Sequence, residues 1–208
     1  MKNLLRNINK SWVLNPKLVL TFCSFALVLA ALYLVLAPYA DDIKLYFSKF
    51  TDSTNGYHYV NRLSKSDNVP IDESKLKPIP LENTLVIPKI QVDAPIHEGV
   101  DDSTLNLGVW RKPFPGNPLI GGNTVLTAHR FLYVSGPNTF YHLDSLAIGD
   151  KFIIYWEGKE FDYEVTDARI ISPTETWIEE PTTEPTVTLY TCTHNAENRI
   201  YIRAKLLQ

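Results

Sequence analysis

Thr188-Leu189-Tyr190-Thr191-Cys192 is an alternating run that closes on the only cysteine outside an N-terminal apolar segment. Asn198-Arg199-Ile200-Tyr201-Ile202-Arg203 opens a second alternating run shortly after it. Successive side chains of a strand face opposite ways. Val187, Leu189 and Thr191 therefore share one face of the first strand, and Thr188, Tyr190 and Cys192 the other. In the second strand Ile200, Ile202, Ala204 and Leu206 share a face, opposite Arg199, Tyr201, Arg203 and Lys205. With 193–198 as the connecting loop, the two strands pair antiparallel and Cys192 stands opposite Arg199, with Cβ atoms about 4.5–5.5 Å apart. The same register pairs Arg203 with Thr188, roughly 13 Å from the thiol at about 3.3 Å per residue.

The rest of 81–208 has the same character. Leu85 to Ile90, Asn123 to Thr127, Lys151 to Trp156 and Phe161 to Ile171 are rich in Val, Ile, Thr, Tyr and Phe. Turn signals separate them: Gly121-Gly122-Asn123, Gly149-Asp150 and Glu157-Gly158-Lys159, the last joining two runs as a hairpin. Phe140 to Leu146 is predicted as the one short helix of this part. Six to eight strands with one short helix predict a mainly β domain, closed as a barrel or stacked as a sandwich.

The N-terminal part is different. Leu18 to Ala40 carries no charge, and its most apolar stretch, Leu18 to Ala37, is long enough to cross a hydrocarbon core of about 30 Å. It exceeds a signal-peptide apolar region of about 7–15 residues, and Pro38 directly after Val35-Leu36-Ala37 disfavours cleavage there. A retained transmembrane helix is expected. Lys2, Arg6, Lys10 and Lys17 precede it, and Asp41 and Asp42 follow it. The excess of basic residues before the segment predicts a cytoplasmic N-terminus and an extracellular remainder. The predicted organisation is a cytoplasmic tail (1–17), a transmembrane helix (18–40), an extracellular stalk (41–80) and a folded domain (81–208). Thr51 to Gly56, Ser64 to Asn68, Pro70, Pro78 and Pro80 give the stalk its linker composition. Such a stalk holds the domain off the membrane or folds back over a cleft. The net charge is −3, with +4 in the first forty residues and −7 beyond. An acidic outer part argues against nucleic acid as a partner.

Cys23 lies in the apolar segment and Cys192 in the outer domain, so they do not form an intrachain disulfide. An unpaired thiol in an exported domain is either a small buried hydrophobe or a reactive group. A thiol ending one strand beside a guanidinium starting the next suits acyl transfer: the thiolate attacks a carbonyl and the cation stabilises the oxyanion. Arg199 is the better-placed cation, Arg203 being four residues further along. A base is also needed. His58 falls in the stalk, His97 in a loop and His142 in the short helix. His129, ending the apolar run Leu126-Thr127-Ala128, and His194, two residues after Cys192, are the candidates.

Together these stretches resemble the sortases, the cysteine transpeptidases of bacterial cell surfaces. Thr188-Leu189-Tyr190-Thr191-Cys192 is similar to the family's TLxTC motif. Asn123 to Arg130 resembles the strand and loop carrying the catalytic histidine, and Asn198-Arg199-Ile200 the start of the strand carrying the catalytic arginine. The likeness runs from about Leu85 to Leu206 and includes Ile87-Pro88-Lys89-Ile90 and Phe140-Tyr141-His142-Leu143. The resemblance implies an eight-stranded β-barrel with the site in a groove at one end. Cys192 is then the nucleophile, His129 the acid/base and Arg199 the oxyanion stabiliser. An imidazolium and a guanidinium beside the thiol are expected to favour its charged form.

The implied reaction cleaves a Thr–Gly type bond in an LPxTG-like C-terminal sorting signal and passes the acyl group to an amine, from a peptidoglycan precursor or a pilin lysine. Pilus-building relatives often carry a C-terminal membrane segment and a lid with an Asp and an aromatic residue over the thiol. This sequence ends at Gln208 without the first, and its stalk has no Asp-Pro-aromatic run. A housekeeping-like or other N-terminally anchored class is therefore expected. Ser172 to Pro185 is expected to border the groove. No cofactor is required, but Glu175, Glu179, Glu180 and Glu184 with Asp101 and Asp102 raise calcium modulation, as in some relatives, against a plain solvated acidic loop.

Overall fold

A computed structural model of the chain describes residues 16–40, 43, 79–130 and 139–207. The predicted tail and stalk lie outside the described residues, apart from Pro16, Lys17, Ile43, Ile79 and Pro80. The chain divides into two compact units, Met1–Phe50 and Thr51–Gln208.

In the first unit, helix α1 (Pro16–Leu36) is followed by a 3-10 turn, Ala37–Tyr39. Proline suits the first position of α1, where its missing N–H is no loss. Pro38 cannot continue the α-helical ladder. Val19–Leu36 has a mean hydropathy of 2.6 and is long and apolar enough to cross a membrane. Its Leu20, Phe22, Leu27 and Leu34 side chains are all exposed.

The second unit is a closed barrel of eight strands: β1 (Thr84–Ile87), β2 (Val92–Glu98), β3 (Val109–Arg111), β4 (Asn123–Thr127), β5 (Lys151–Trp156), β6 (Lys159–Ile171), β7 (Thr186–Cys192) and β8 (Arg199–Leu206). The order around the barrel is β1-β2-β3-β4-β7-β8-β6-β5, and β1 pairs with β5 to close it. Side chains alternate between interior and exterior. Leu126, Ala128, Val187, Leu189, Ile200, Ile202 and Ala204 join the central core with Leu85, Ile87, Phe152 and Ile154. Glu157 and Gly158 turn the β5–β6 hairpin with φ of 47° and 71°, the primed geometry that two-residue hairpins favour.

Three readings change. The run 85–90 is one strand by composition, yet Pro88 opens a 3-10 turn (Pro88–Ile90) that ends on left-handed Gln91. Strands β2 and β3 were not expected. In β2 the inward alternation Val92, Ala94, Ile96 is masked by Pro95 and by polar neighbours. In 140–146 only Leu143–Ser145 is helical, and further 3-10 turns occupy Asp102–Leu107 and Thr176–Glu179.

The long β6–β7 connection is fastened to the outer barrel wall by Asn123. This residue is 2 % exposed, because its neighbours cover it. Its amide donates to the carbonyls of Ile178 and Glu180, both at 2.9 Å, and accepts from the Thr188 hydroxyl at 2.8 Å. Asn123→Ala strands these buried partners and is expected to cost about 2–3 kcal/mol. Urea unfolding of the folded domain measures this. A loss too small to resolve would mean that the clamp holds nothing.

Candidate active site

Strands β4 and β7 run parallel, with Thr127 the register partner of Tyr190. Two residues on, His129 and Cys192 come level at the same barrel end. Antiparallel β8 starts at that end, and Arg199 is the register partner of Cys192, as Arg203 is of Thr188. Leu126 and Ala128 of the β4 run, Leu189 of β7 and Ile200 of β8 point into the core. By alternation His129, Cys192 and Arg199 all face outward. They form one row across the outer wall, and Thr127, Tyr190 and Tyr201 form the next.

The backbone of this row is held on several sides. The Thr127 hydroxyl donates to the Tyr190 carbonyl at 3.0 Å, and the Thr191 hydroxyl to the Ala128 carbonyl at 2.8 Å. These reciprocal bonds tie the ends of β4 and β7 just before the imidazole and the thiol. The Phe140 N–H donates to the His129 carbonyl at 3.1 Å, and Arg130 pairs with Asp144 at 2.6 Å. At the β7–β8 turn the Thr193 N–H donates to the Asn198 carbonyl at 2.9 Å. The next pair, Cys192 with Arg199, is then a non-hydrogen-bonded pair, in which side chains approach most closely.

The two arginines of β8 have different surroundings. Arg199 Nη1 donates to the adjacent Asn198 carbonyl at 3.2 Å, and no carboxylate pairs with it among the described residues. Arg203 donates to the Ile178 carbonyl at 3.2 Å and lies over the rings of Trp177 and Tyr201, at 5.5 and 5.6 Å. It is committed to the β6–β7 connection. His194 is exposed in the turn beyond the strand ends.

The family model described as the Sortase domain matches residues 85–207, more than half of the chain. The chain belongs to the sortase family. Among solved structures it is similar to sortase C1 of the GBS (group B Streptococcus) pilus island 1, at 31% identity and TM-score 0.55, over 61% of this chain and 64% of that one. It is also similar to a lid mutant of sortase A from Corynebacterium diphtheriae (26%, TM-score 0.54, 66% and 75%). Sortase C-1 from Actinomyces oris gives 27% and TM-score 0.56, over 72% and 96%. This sortase thus spans just under two thirds of the GBS protein's chain. No curated protein matches it.

Burial holds the His129 imidazole of this sortase below its ordinary value of 6.5. Loss of water disfavours the charged ring, so the neutral imidazole prevails at neutral pH. Burial thus works against the imidazolium expected beside the thiol. If a neutral base is needed, the acid limb of kcat/KM falls with a midpoint below 6.5, because protonation of His129 is what removes activity. A pH–rate profile of peptide cleavage checks this, and a limb centred above 6.5 contradicts it.

Beside this row, the second half of the β6–β7 connection covers the outer wall. Glu179 Oε1 accepts from the Tyr190 hydroxyl at 2.6 Å and meets Lys112 Nζ at 3.5 Å. Burial, and then the bond to Glu179, hold the Tyr190 phenol far above its ordinary range, so it remains a donor. Glu175 accepts from the Ser172 N–H and from Trp177 Nε1, while Asp101 caps the turn at Ser103. Among the described residues no three His, Cys, Asp or Glu side chains stand together as a metal ion requires. Sequence reasoning did not single out Asn123, Thr127, Thr191 or Lys112 for the site. It also passed over Gly108, whose φ of 138° strains any side chain and which the β3–β4 register brings level with His129.

Proposed function

We propose that this chain is a membrane-anchored cysteine transpeptidase that cleaves an LPxTG-like sorting signal and transfers the protein to an amine. The observation that carries the reading is the common row: Cys192 opposite Arg199 on β8 and level with His129 beyond β4. The Cys192 sulfur attacks the threonine carbonyl as neutral His129 takes the thiol proton. Arg199 N–H groups hold the oxyanion of the tetrahedral intermediate. On collapse the C–N bond breaks, and the imidazolium gives its proton to the leaving glycine amine. The thioester is then attacked by the acceptor amine, which passes its proton to His129, and Cys192 departs as a thiolate. α1 is the anchor, with the N-terminus in the cytoplasm and the barrel outside. The acceptor is an amine of a cell-wall precursor or a pilin lysine.

Titrating a glycine peptide into a sorting-signal cleavage assay tests this. Product is expected to shift from free acid to ligated peptide as amine rises. Partitioning that ignores the amine would make the protein a thiol hydrolase instead. Arg199→Ala is expected to lower kcat by about 10²–10³, the cost of one lost oxyanion donor. Arg203→Ala is expected to cost far less catalytically and to show mainly as lost stability. Steady-state kinetics of both variants check the order, and the reverse order contradicts the pairing of roles.

A further inference from the structure

Cys192 and Arg199 form a non-hydrogen-bonded pair, so they exchange no main-chain bonds with each other. Their spacing is set by the pairs on either side. On the barrel side that is Thr191 with Ile200, inside the β7–β8 ladder. On the turn side it is Thr193 with Asn198, and this pair is closed irregularly. A regular antiparallel pair exchanges two main-chain bonds. Here the Thr193 N–H donates to the Asn198 carbonyl at 2.9 Å, but the Asn198 N–H donates at 3.1 Å to the Thr193 hydroxyl rather than to its carbonyl. The Thr193 carbonyl is turned into the loop, where it accepts from the Ala196 N–H at 2.9 Å. Ala196 has φ of 59°, a left-handed conformation that a residue with a Cβ keeps only where its surroundings hold it.

The hydroxyl is itself oriented. It donates to Asn195 Oδ1 at 2.8 Å, with the Asn198 carbonyl a second acceptor at 3.2 Å. A hydroxyl has one proton and two lone pairs, so this donation leaves a lone pair for the Asn198 N–H. Asn195 is held in turn: its amide donates to Glu197 Oε2, and its Oδ1 also accepts from the Glu197 N–H at 3.4 Å. Thr193 therefore grips Asn198 at both its N–H and its carbonyl. That same carbonyl accepts from Arg199 Nη1 at 3.2 Å. The residue that holds the guanidinium is thus held by the side chain next to the nucleophile.

We propose that Thr193 is a positioning residue for the transpeptidase reaction: its hydroxyl closes the last rung of the β7–β8 ladder, fixes Asn198, and so aims the Arg199 guanidinium at the carbonyl that Cys192 attacks. The inference rests on the transpeptidase reading. Cleavage of an LPxTG-type peptide by full-length protein is the first measurement. Thr193→Val keeps the shape of the side chain and removes the hydroxyl. It is expected to lower kcat about tenfold, for an oxyanion donor displaced rather than lost. KM is expected to stay unchanged, the pattern of an interaction made only in the transition state. Thr193→Ala is expected to match it, whereas Thr193→Ser, which keeps the hydroxyl, is expected to restore the native kcat. In the Arg199→Ala background Thr193→Val is expected to cost less than about twofold more, because residues that act through one group are not additive. A native kcat in Thr193→Val protein, a Thr193→Ser protein as slow as Thr193→Val, or an undiminished loss in the Arg199→Ala background overturns the assignment. Disulfide closure reads the positioning without turnover. In full-length Arg199→Cys protein, adding Thr193→Val is expected to slow formation of the disulfide between positions 192 and 199 about tenfold. Slower closure with no cleavage by native enzyme would retain the positioning and overturn the transpeptidase reading. Equal closure rates would overturn the positioning alone.

Discussion

Cys192→Ala is expected to abolish cleavage of a sorting-signal peptide, lowering kcat by at least about 10⁴, as nucleophile deletions do when catalytic groups act as a unit. No covalent adduct is expected on the variant protein. The fold should survive: Cys192 is only half-buried, its side chain faces outward, and the Thr191 and Thr127 bonds that tie β7 to β4 do not involve it. Stopped assays with intact-mass analysis make the measurement. Cleavage at an undiminished rate would show that another group attacks the peptide, or that the barrel is not the enzyme.

His129→Ala is expected to come close to the same loss, toward the upper end of the roughly 10²–10⁴ range for general acid–base catalysis. One imidazole serves both half-reactions, protonating the leaving amine and deprotonating the incoming one. The structure gives it no substitute, since His194 stands exposed in the β7–β8 turn. His194→Ala should therefore leave kcat within about twofold. Single-turnover acylation and steady-state transpeptidation are compared for both variants. A larger effect at 194 than at 129 would reassign the base.

The β7–β8 pair was legible in the sequence because both strands alternate strictly over their full length and a short polar turn joins them. That alone sets the register of Cys192 against Arg199 and of Thr188 against Arg203. The anchor helix was legible from its uncharged length, and the β5–β6 hairpin from Glu157-Gly158. Strand β3 was not legible, being only Val109–Arg111, too short to show a period. Its neighbour β2 hid behind Pro95, which pairs with Thr84 in the barrel although proline usually marks an edge or an end. The position of His129 relative to Cys192 depends on the parallel β4–β7 pairing, a contact between segments far apart in the chain. No local pattern specifies it, and only the family resemblance supplied it beforehand. The cover of the outer wall was equally hidden. Asn123 in Gly121-Gly122-Asn123 has the composition of a turn, yet it is the buried clamp of the β6–β7 connection.

The claim beneath the mechanism is spatial: sulfur and guanidinium face each other from adjacent strands on the outer wall. Cross-linking reads this directly. Opposed residues of a non-hydrogen-bonded pair have Cα atoms about 4.5 Å apart, within the roughly 4.4–6.8 Å that a disulfide spans. Full-length Arg199→Cys protein, oxidised while folded and mapped by mass spectrometry, is expected to yield a disulfide between positions 192 and 199. Arg203→Cys protein is expected to leave Cys192 reduced. A bond from Cys192 to position 203, or a folded Arg199→Cys protein whose two thiols stay unlinked, would contradict the arrangement on which the chemistry depends.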